Sequence, residues 1–165
     1  MSCIINGSAG LTTNSGAVYN GIQGGTAVAS TSGTSIDFTS IPSWVKRITI
    51  IMNGMSTNGT SNQLFQIGSG SVTTSGYQCI TGSTGYTAGF GIPEASATRV
   101  TFGGIVLTNI SGNIWVAFGS VGTTTGATQV MVGGVTLGGV LDRVRATTVN
   151  GTDTFDAGSI NILYE

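Results

Sequence analysis

Residues 35–52 read S-I-D-F-T-S-I-P-S-W-V-K-R-I-T-I-I-M, and this stretch holds two apolar alternations on either side of Pro42. Before the proline, Ile36 and Phe38 share one face of an extended chain, as expected for a half-buried strand. Because proline cannot donate a hydrogen bond to a sheet ladder, the strand must break there. After the break, both faces carry apolar residues. The stretch therefore predicts two strands joined at a corner, the second of them central in a sheet that is packed on both sides.

The chain after residue 25 continues this pattern. Short runs of strand composition alternate with clusters of Gly, Asn, Ser and Thr, and no segment keeps a helical period. Such spacing predicts one all-β domain over residues 26–165, either a sandwich or a barrel. The closing run is expected inside a sheet, because a free edge strand would fray. The expected strands cover residues 26–31, 35–40, 44–53, 63–67, 76–80, 86–92, 98–110, 113–121, 129–137, 141–149 and 159–164.

Residues 1–25 have the composition of turns and loops, with the dipeptides Asn-Gly, Ala-Gly, Ser-Gly and Gly-Gly interrupted by a few apolar side chains. This composition predicts an extended N-terminal arm or attachment segment that lies on another surface. A partly ordered tail is the alternative, since chain ends fray unless they are docked.

One hairpin is expected between residues 98 and 121. If Ser111 and Gly112 are the two central turn residues, Leu107 lies opposite Val116 and Ile105 lies opposite Phe118. Those pairs share one face, so Leu107 and Val116 are predicted to lie inside the sandwich.

Charge is scarce in this sequence. The 165 residues include five Lys or Arg and six Asp or Glu, which gives a net charge of -1. Ordinary domains carry roughly 25% charged residues, against 7% here. Five basic residues cannot form the stripe that nucleic-acid binding needs, whereas weak self-repulsion favours association between copies. No segment resembles a membrane span or a secretory signal, so synthesis in a cytoplasm without export and without membrane insertion is expected.

The sequence offers little catalytic chemistry. It has no histidine, which excludes a Ser-His-Asp triad and His-ligated metals. No carboxylate lies in a recognisable acid/base context, and no phosphate-binding glycine motif occurs. We therefore expect neither an enzyme nor a bound cofactor or metal. The candidate carboxylates are Asp37, Glu94, Asp142, Asp153, Asp156 and Glu165.

Two features leave alternatives open. The segment N-G-T-D-T-F-D, residues 150–156, has oxygen atoms that could hold Ca²⁺, or it forms a tight turn in which an aspartate accepts backbone hydrogen bonds. Cys3 and Cys79 are the only cysteines, and they are either free thiols or a single bridge.

Two groups of side chains are candidates for binding. Arg143 and Arg145 fall on one face of a strand, where they form a solvated face, pair with Asp153 or Asp156 of a neighbouring copy, or contact a ligand. Aromatic rings offer flat apolar surfaces to sugars. Tyr77, Tyr86 and Phe90 are therefore candidate ligand-binding residues, with core or interface packing as the alternative; Trp44 and Trp115 are expected to be packing groups.

Three phrases carry a family resemblance. They are T-S-I-D-F-T-S-I-P-S-W-V-K-R-I-T-I at residues 34–50, T-F-G-G-I-V-L-T-N-I-S-G-N-I-W-V-A at 101–117, and L-D-R-V-R-A-T-T-V-N-G-T-D-T-F-D-A-G-S-I-N-I-L-Y-E at 141–165. Together they resemble the carboxy-terminal β-rich modules of tail-fibre and related structural proteins of tailed bacteriophages. The resemblance implies a virion protein with a jelly-roll-like antiparallel β-sandwich, usually a homotrimer, and it carries over no catalytic residues.

The resemblance leaves the position in the particle open. Fibre proteins carry a long shaft ahead of this module, whereas residues 1–25 precede it here. We expect a tail-fibre tip or receptor-binding module that contacts other virion proteins and a host surface glycan or protein. One alternative is a capsid cement or decoration protein whose arm straps the head lattice. A second is a carbohydrate-binding, lectin-like module.

Overall fold

A computed structural model describes residues 21–93, 96–124 and 128–165, together with the backbone of three short strands before residue 20. Every strand pairing in it is antiparallel, and the described residues contain no helix. The strands are β1 (Ile4–Asn6), β2 (Gly10–Thr12), β3 (Val18–Tyr19), β4 (Gln23–Gly24), β5 (Val28–Ala29), β6 (Ile36–Phe38), β7 (Arg47–Thr57), β8 (Gln63–Ser69), β9 (Ser71–Val72), β10 (Gln78–Thr81), β11 (Thr84–Tyr86), β12 (Phe90–Ile92), β13 (Thr101–Ser111), β14 (Ile114–Thr123), β15 (Thr128–Thr136), β16 (Arg143–Thr148) and β17 (Phe155–Tyr164).

Two sheets form the domain. The large sheet has nine strands in the order β11-β10-β15-β14-β13-β7-β17-β4, and β5 also pairs with β17. The small sheet has five strands in the order β12-β8-β16-β6, with β9 paired to β8. A separate three-stranded sheet joins β1, β2 and β3. The predicted all-β fold with antiparallel sheets in a sandwich-like arrangement is thus confirmed, and each expected strand overlaps an observed one.

The core lies between the two sheets. From the large sheet, Ile48, Ile50 and Ile105 point inward and are fully buried, and from the small sheet Phe65 and Val144 do the same. Alternation along each strand sends the intervening residues outward. The hydrophobic contact between these two inner faces is what holds the sheets together.

The strand after Pro42 is central, as predicted, because β7 pairs with β13 on one side and β17 on the other. Its packing differs from the prediction. Met52 on the inner face is 2% exposed, whereas Ile51 on the other face is 41% exposed. The described chain therefore covers only one side of this strand. The closing strand β17 lies between β7 and β4, which confirms its predicted place inside a sheet.

The hairpin of β13 and β14 has a register one residue away from the predicted one. Leu107 lies opposite Ala117 rather than Val116, because Ile110 is an extra residue between the pairs Asn109 with Trp115 and Ser111 with Ile114. The turn is Gly112-Asn113, with Gly112 at a φ of 51°. Leu107 is in the core as predicted, but Val116 points outward and was wrongly placed inside. Trp115 and Ala117 fill the interior positions instead.

Three glycines on neighbouring strands form a crease across the large sheet. Gly54 on β7, Gly103 on β13 and Gly158 on β17 have φ values of 68°, 131° and 87°. The pairings of β7 with β13 and with β17 also shift register in this region. A Cβ on Gly158 would collide with the carbonyl oxygen of Gly54. Glycine is therefore required here for the strands to approach each other and bend.

Candidate functional surfaces

An exposed apolar surface lies on the side of the large sheet that faces away from the small sheet, which we call the outer face. Residues that pair directly across the strands make up one apolar row. Ile80 on β10 lies opposite Val132 on β15, Val132 opposite Phe118 on β14, and Phe118 opposite Val106 on β13. The exposed apolar side chains of this face are Ile51, Ile80, Phe102, Ile114, Phe118, Val130 and Val132, each between 40% and 63% exposed.

The outer face has low relief and almost no charge. Gly104, Gly122 and Gly134 occupy outward positions beside these apolar residues, so no side chain rises there. Within the paired strands β10, β15, β14, β13, β7 and β17, the charged residues are Arg47, near the start of β7, and Asp156, near the start of β17. Arg47 forms a salt bridge of 3.0 Å with Glu165, the residue that follows β17. A flat, uncharged, apolar face can pack against another flat surface but offers no group for catalysis.

The outer surface of the small sheet carries the paired charges of Asp37, Asp142, Arg143 and Arg145. Arg145 donates two hydrogen bonds to the Asp37 carboxylate, at 2.7 Å and 2.8 Å. Arg143 donates to both oxygens of Asp142, at 2.7 Å and 3.2 Å. The hydrogen bond from Arg143 lowers the pKa of Asp142, and the bond to Asp37 raises that of Arg145. Both candidate arginines thus have carboxylate partners within their own chain.

The other two interface candidates, Asp153 and Asp156, lie in different surroundings. Asp153 accepts hydrogen bonds from the Ser61 backbone N–H at 2.8 Å and from the Asn150 side chain at 2.7 Å. These bonds lower the pKa of Asp153, the bond from Asn150 contributing most. This geometry matches the tight-turn alternative for residues 150–156, in which the carboxylate joins two loops. Asp156 is exposed on β17.

The aromatic candidates lie against or beneath a shallow groove of about 550 Å³ beside β10. Tyr77 and Tyr86 line it and are 2% and 8% exposed, while Phe90 is fully buried. Tyr77 meets Phe90 edge to face, with ring centroids 5.0 Å apart. The core-packing alternative therefore describes the position of all three rings.

The two tyrosine hydroxyls are also occupied. The Tyr77 hydroxyl accepts from the Ile67 N–H at 2.8 Å and donates to the Ile67 carbonyl at 3.1 Å. The Tyr86 hydroxyl accepts from the Asn62 side chain at 3.0 Å. Burial raises the pKa of each tyrosine to about 12. The Tyr77 hydroxyl thus both accepts and donates within the chain, and the Tyr86 hydroxyl is held by Asn62.

The tryptophans and cysteines singled out in the sequence lie in different environments. Trp115 is buried in the core, whereas Trp44 is 40% exposed and packs at a tilt on Tyr164, with ring centroids 5.9 Å apart. Cys79 is a free, buried thiol, and burial raises its pKa. Cys3 and the candidate carboxylate Glu94 lie outside the described residues.

Sequence reasoning missed the outer face as a surface. The signal was present, since β14 is apolar at both the inward Trp115 and Ala117 and the outward Phe118. The sequence predicts packing on both sides only for the strand after Pro42, and the second apolar face of β14 was not identified. In the structure the chain buries one side and exposes the other.

Among the residues that the structure describes, no three His, Cys, Asp or Glu side chains are grouped to hold a metal ion. The same residues include no helix that is long and apolar enough to cross a membrane. No protein-family model, curated protein or solved structure matches this chain.

Proposed function

We propose that this protein is a bacteriophage structural protein that acts as a homotrimer, as a tail-fibre tip or receptor-binding module on the particle surface. The phrases at residues 34–50, 101–117 and 141–165 support the proposal by their resemblance to fibre modules. The all-β sandwich is consistent with that resemblance. Catalysis is not part of the proposal, because the surfaces described above position no nucleophile beside a base.

One observation carries the proposal of assembly. A chain with 7% charged residues exposes a flat apolar face on its larger sheet. Monomeric proteins rarely expose contiguous apolar patches beyond a few hundred Å², and larger ones mark interaction sites. Burial of such a face among copies also suits a particle protein, whose survival depends on slow unfolding.

The first experiment measures molar mass in solution. We expect light scattering after gel filtration to give about 50 kDa at micromolar concentration, which is three times the chain mass of 16.6 kDa. A mass of one chain over the whole concentration range would reject the homotrimer.

A second candidate role is capsid cement or decoration. It is favoured by the apolar side chains of residues 1–25, such as Ile4, Ile5 and Leu11, which suit a segment that straps neighbouring subunits. Cryo-microscopy of the intact particle separates the two roles. Density at the tail supports the fibre role, and density confined to the head shell replaces it with decoration.

The third role, a lectin-like module, has less physical support. Its candidate rings Tyr77, Tyr86 and Phe90 are buried, and a sugar stacks on an exposed ring face. Glycan-array binding by the isolated protein would restore this role, with the Tyr86→Ala variant as the test of the site.

A further inference from the structure

We propose that the outer face of the large sheet is the surface through which one copy of this chain packs against a second copy. This inference rests on the proposed homo-oligomer and adds the surface that forms it. The contact between copies is then not formed by Arg143 and Arg145, the candidates from the sequence, because their carboxylate partners lie in the same chain.

The composition of the outer face points to a partner that is itself uncharged. Its central side chains Ile80, Val132, Phe118 and Val130 are 51% to 63% exposed. A charged partner would bury its ions against these groups without a counter-charge, which costs free energy. The Arg47–Glu165 pair at the margin is already neutralised. Charge complementarity therefore favours a partner surface that is flat and apolar.

A second copy supplies such a surface. It carries the same face, with the same outward glycines at positions 104, 122 and 134. In the proposed homotrimer the three outer faces meet around the threefold axis, so that one part of each face packs against a different part of the next copy's face. In such packing the side chains of the two faces interdigitate, as they do between the two sheets within the domain.

The size of the face matches a stable contact. Six paired strands, β10, β15, β14, β13, β7 and β17, span about 29 Å at the usual strand spacing. Seven residues along β13, from Phe102 to Thr108, span about 24 Å at the usual rise per residue. The product is about 700 Å², close to the roughly 800 Å² that each partner contributes to a standard interface.

The sequence pattern supports the same conclusion independently. β14 alternates Trp115 and Ala117 inward with Val116 and Phe118 outward, so it is apolar on both sides. Strands with two apolar faces are typical of sheets that are covered on both sides. This chain covers only the inner side, and a neighbouring copy would cover the other.

The test compares two valines that are equally exposed. Val132 lies in the middle of the outer face, Val149 lies outside it after β16, and each is 53% exposed. Both are changed to aspartate in the full chain, and molar mass is measured by light scattering and sedimentation across micromolar concentrations. We expect V149D to keep the parent mass and V132D to dissociate, with a dissociation constant raised about a hundredfold or more by the buried charge.

Fold controls accompany the mass measurement. Far-UV circular dichroism must give the parent spectrum for both variants, since each site is exposed in the single chain. If V132D fails this control, Ile80→Lys on the neighbouring strand, 56% exposed, replaces it and is expected to dissociate as well.

The outcomes separate this inference from the proposed function. A folded V132D with the parent mass overturns the inference while the homotrimer stands. A monomeric parent overturns both, and a different protein would then be the occupant of the outer face.

Discussion

Replacing Trp115 and Val116 by alanine, one at a time, tests the observed register of the β13–β14 hairpin. In the structure, Trp115 is 3% exposed and points into the core, whereas Val116 points outward on the large sheet. The register expected from a Ser111-Gly112 turn places Val116 inside the sandwich and Trp115 on the opposite face of the hairpin. The two registers therefore predict opposite orders of stability for the two variants.

The magnitudes follow from burial. Truncating a buried tryptophan removes a large apolar surface and leaves a cavity, so W115A should lower the free energy of unfolding by about 3–5 kcal/mol. V116A removes two methyl groups from a site that is partly exposed in the single chain and belongs to the outer face, so its cost, including lost contact with a neighbouring copy, should stay at about 1–2 kcal/mol. In a chain of this length, each kcal/mol shifts Tm by about 2–4 °C, which makes the difference easy to measure.

The assay is thermal or urea unfolding followed by circular dichroism, with all proteins at one concentration because assembly shifts apparent stability. Parallel slopes in urea show that the variants unfold through the same change in exposed surface. A cost for V116A equal to or above that for W115A would refute the observed register and the bulge at Ile110.

Three further predictions follow from the crease, the buried tyrosine and the aspartate pKa values. Gly158→Ala should cost several kcal/mol in unfolding experiments, since its Cβ meets the Gly54 carbonyl at a positive φ, whereas Gly138→Ala, with open space around it, should be nearly neutral; equal costs would contradict the crease. Tyr77→Phe should cost about 1–3 kcal/mol by leaving the Ile67 N–H without its partner, whereas the Ile67 carbonyl keeps its hydrogen bond from the Thr73 N–H. It should also remove one of the tyrosines that ionise at about 12 in an absorbance titration, and the loss of a tyrosine that ionises near 10 would contradict the burial of Tyr77. The pKa values of Asp142 and Asp153 lie below the usual 3.8, so their contribution to stability is present above that pH and is lost as the pH falls through the lowered values. Tm should therefore fall on acidification, and the D142N/D153N double variant should show a smaller fall than the parent; an identical fall would assign the acid sensitivity to other carboxylates.

The fold class could be predicted because its signal is local. Ile48, Ile50 and Met52 repeat at a period of two, and that period alone identifies an extended strand with one buried face. The hairpin register could not be predicted in the same way. It depends on the Asn109 side chain, which donates to the carbonyls of Gly112 and Ile114 and so holds the extra residue in place.

The candidate surfaces were harder to predict because they depend on distant pairings. Arg145 pairs with Asp37 on the neighbouring strand β6, which is 108 residues away in the sequence. Nothing near Arg145 in the sequence identifies that partner. Likewise, the burial of Tyr77 depends on the backbone of Ile67 and on the Phe90 ring, whereas its own glycine-rich surroundings suggested an exposed loop.

The position of β7 has a consequence for how the chain acquires its structure. Both strands that pair with β7 lie far along the sequence, since β7 ends at Thr57, β13 begins at Thr101 and β17 begins at Phe155. Contacts so remote along the sequence require large loops to close first, which places folding in the slow range of milliseconds to seconds. During that interval two unpaired edges of a highly apolar strand are open to other chains. Renaturation yield should consequently drop as protein concentration rises, through misassembly that competes with the native pairing.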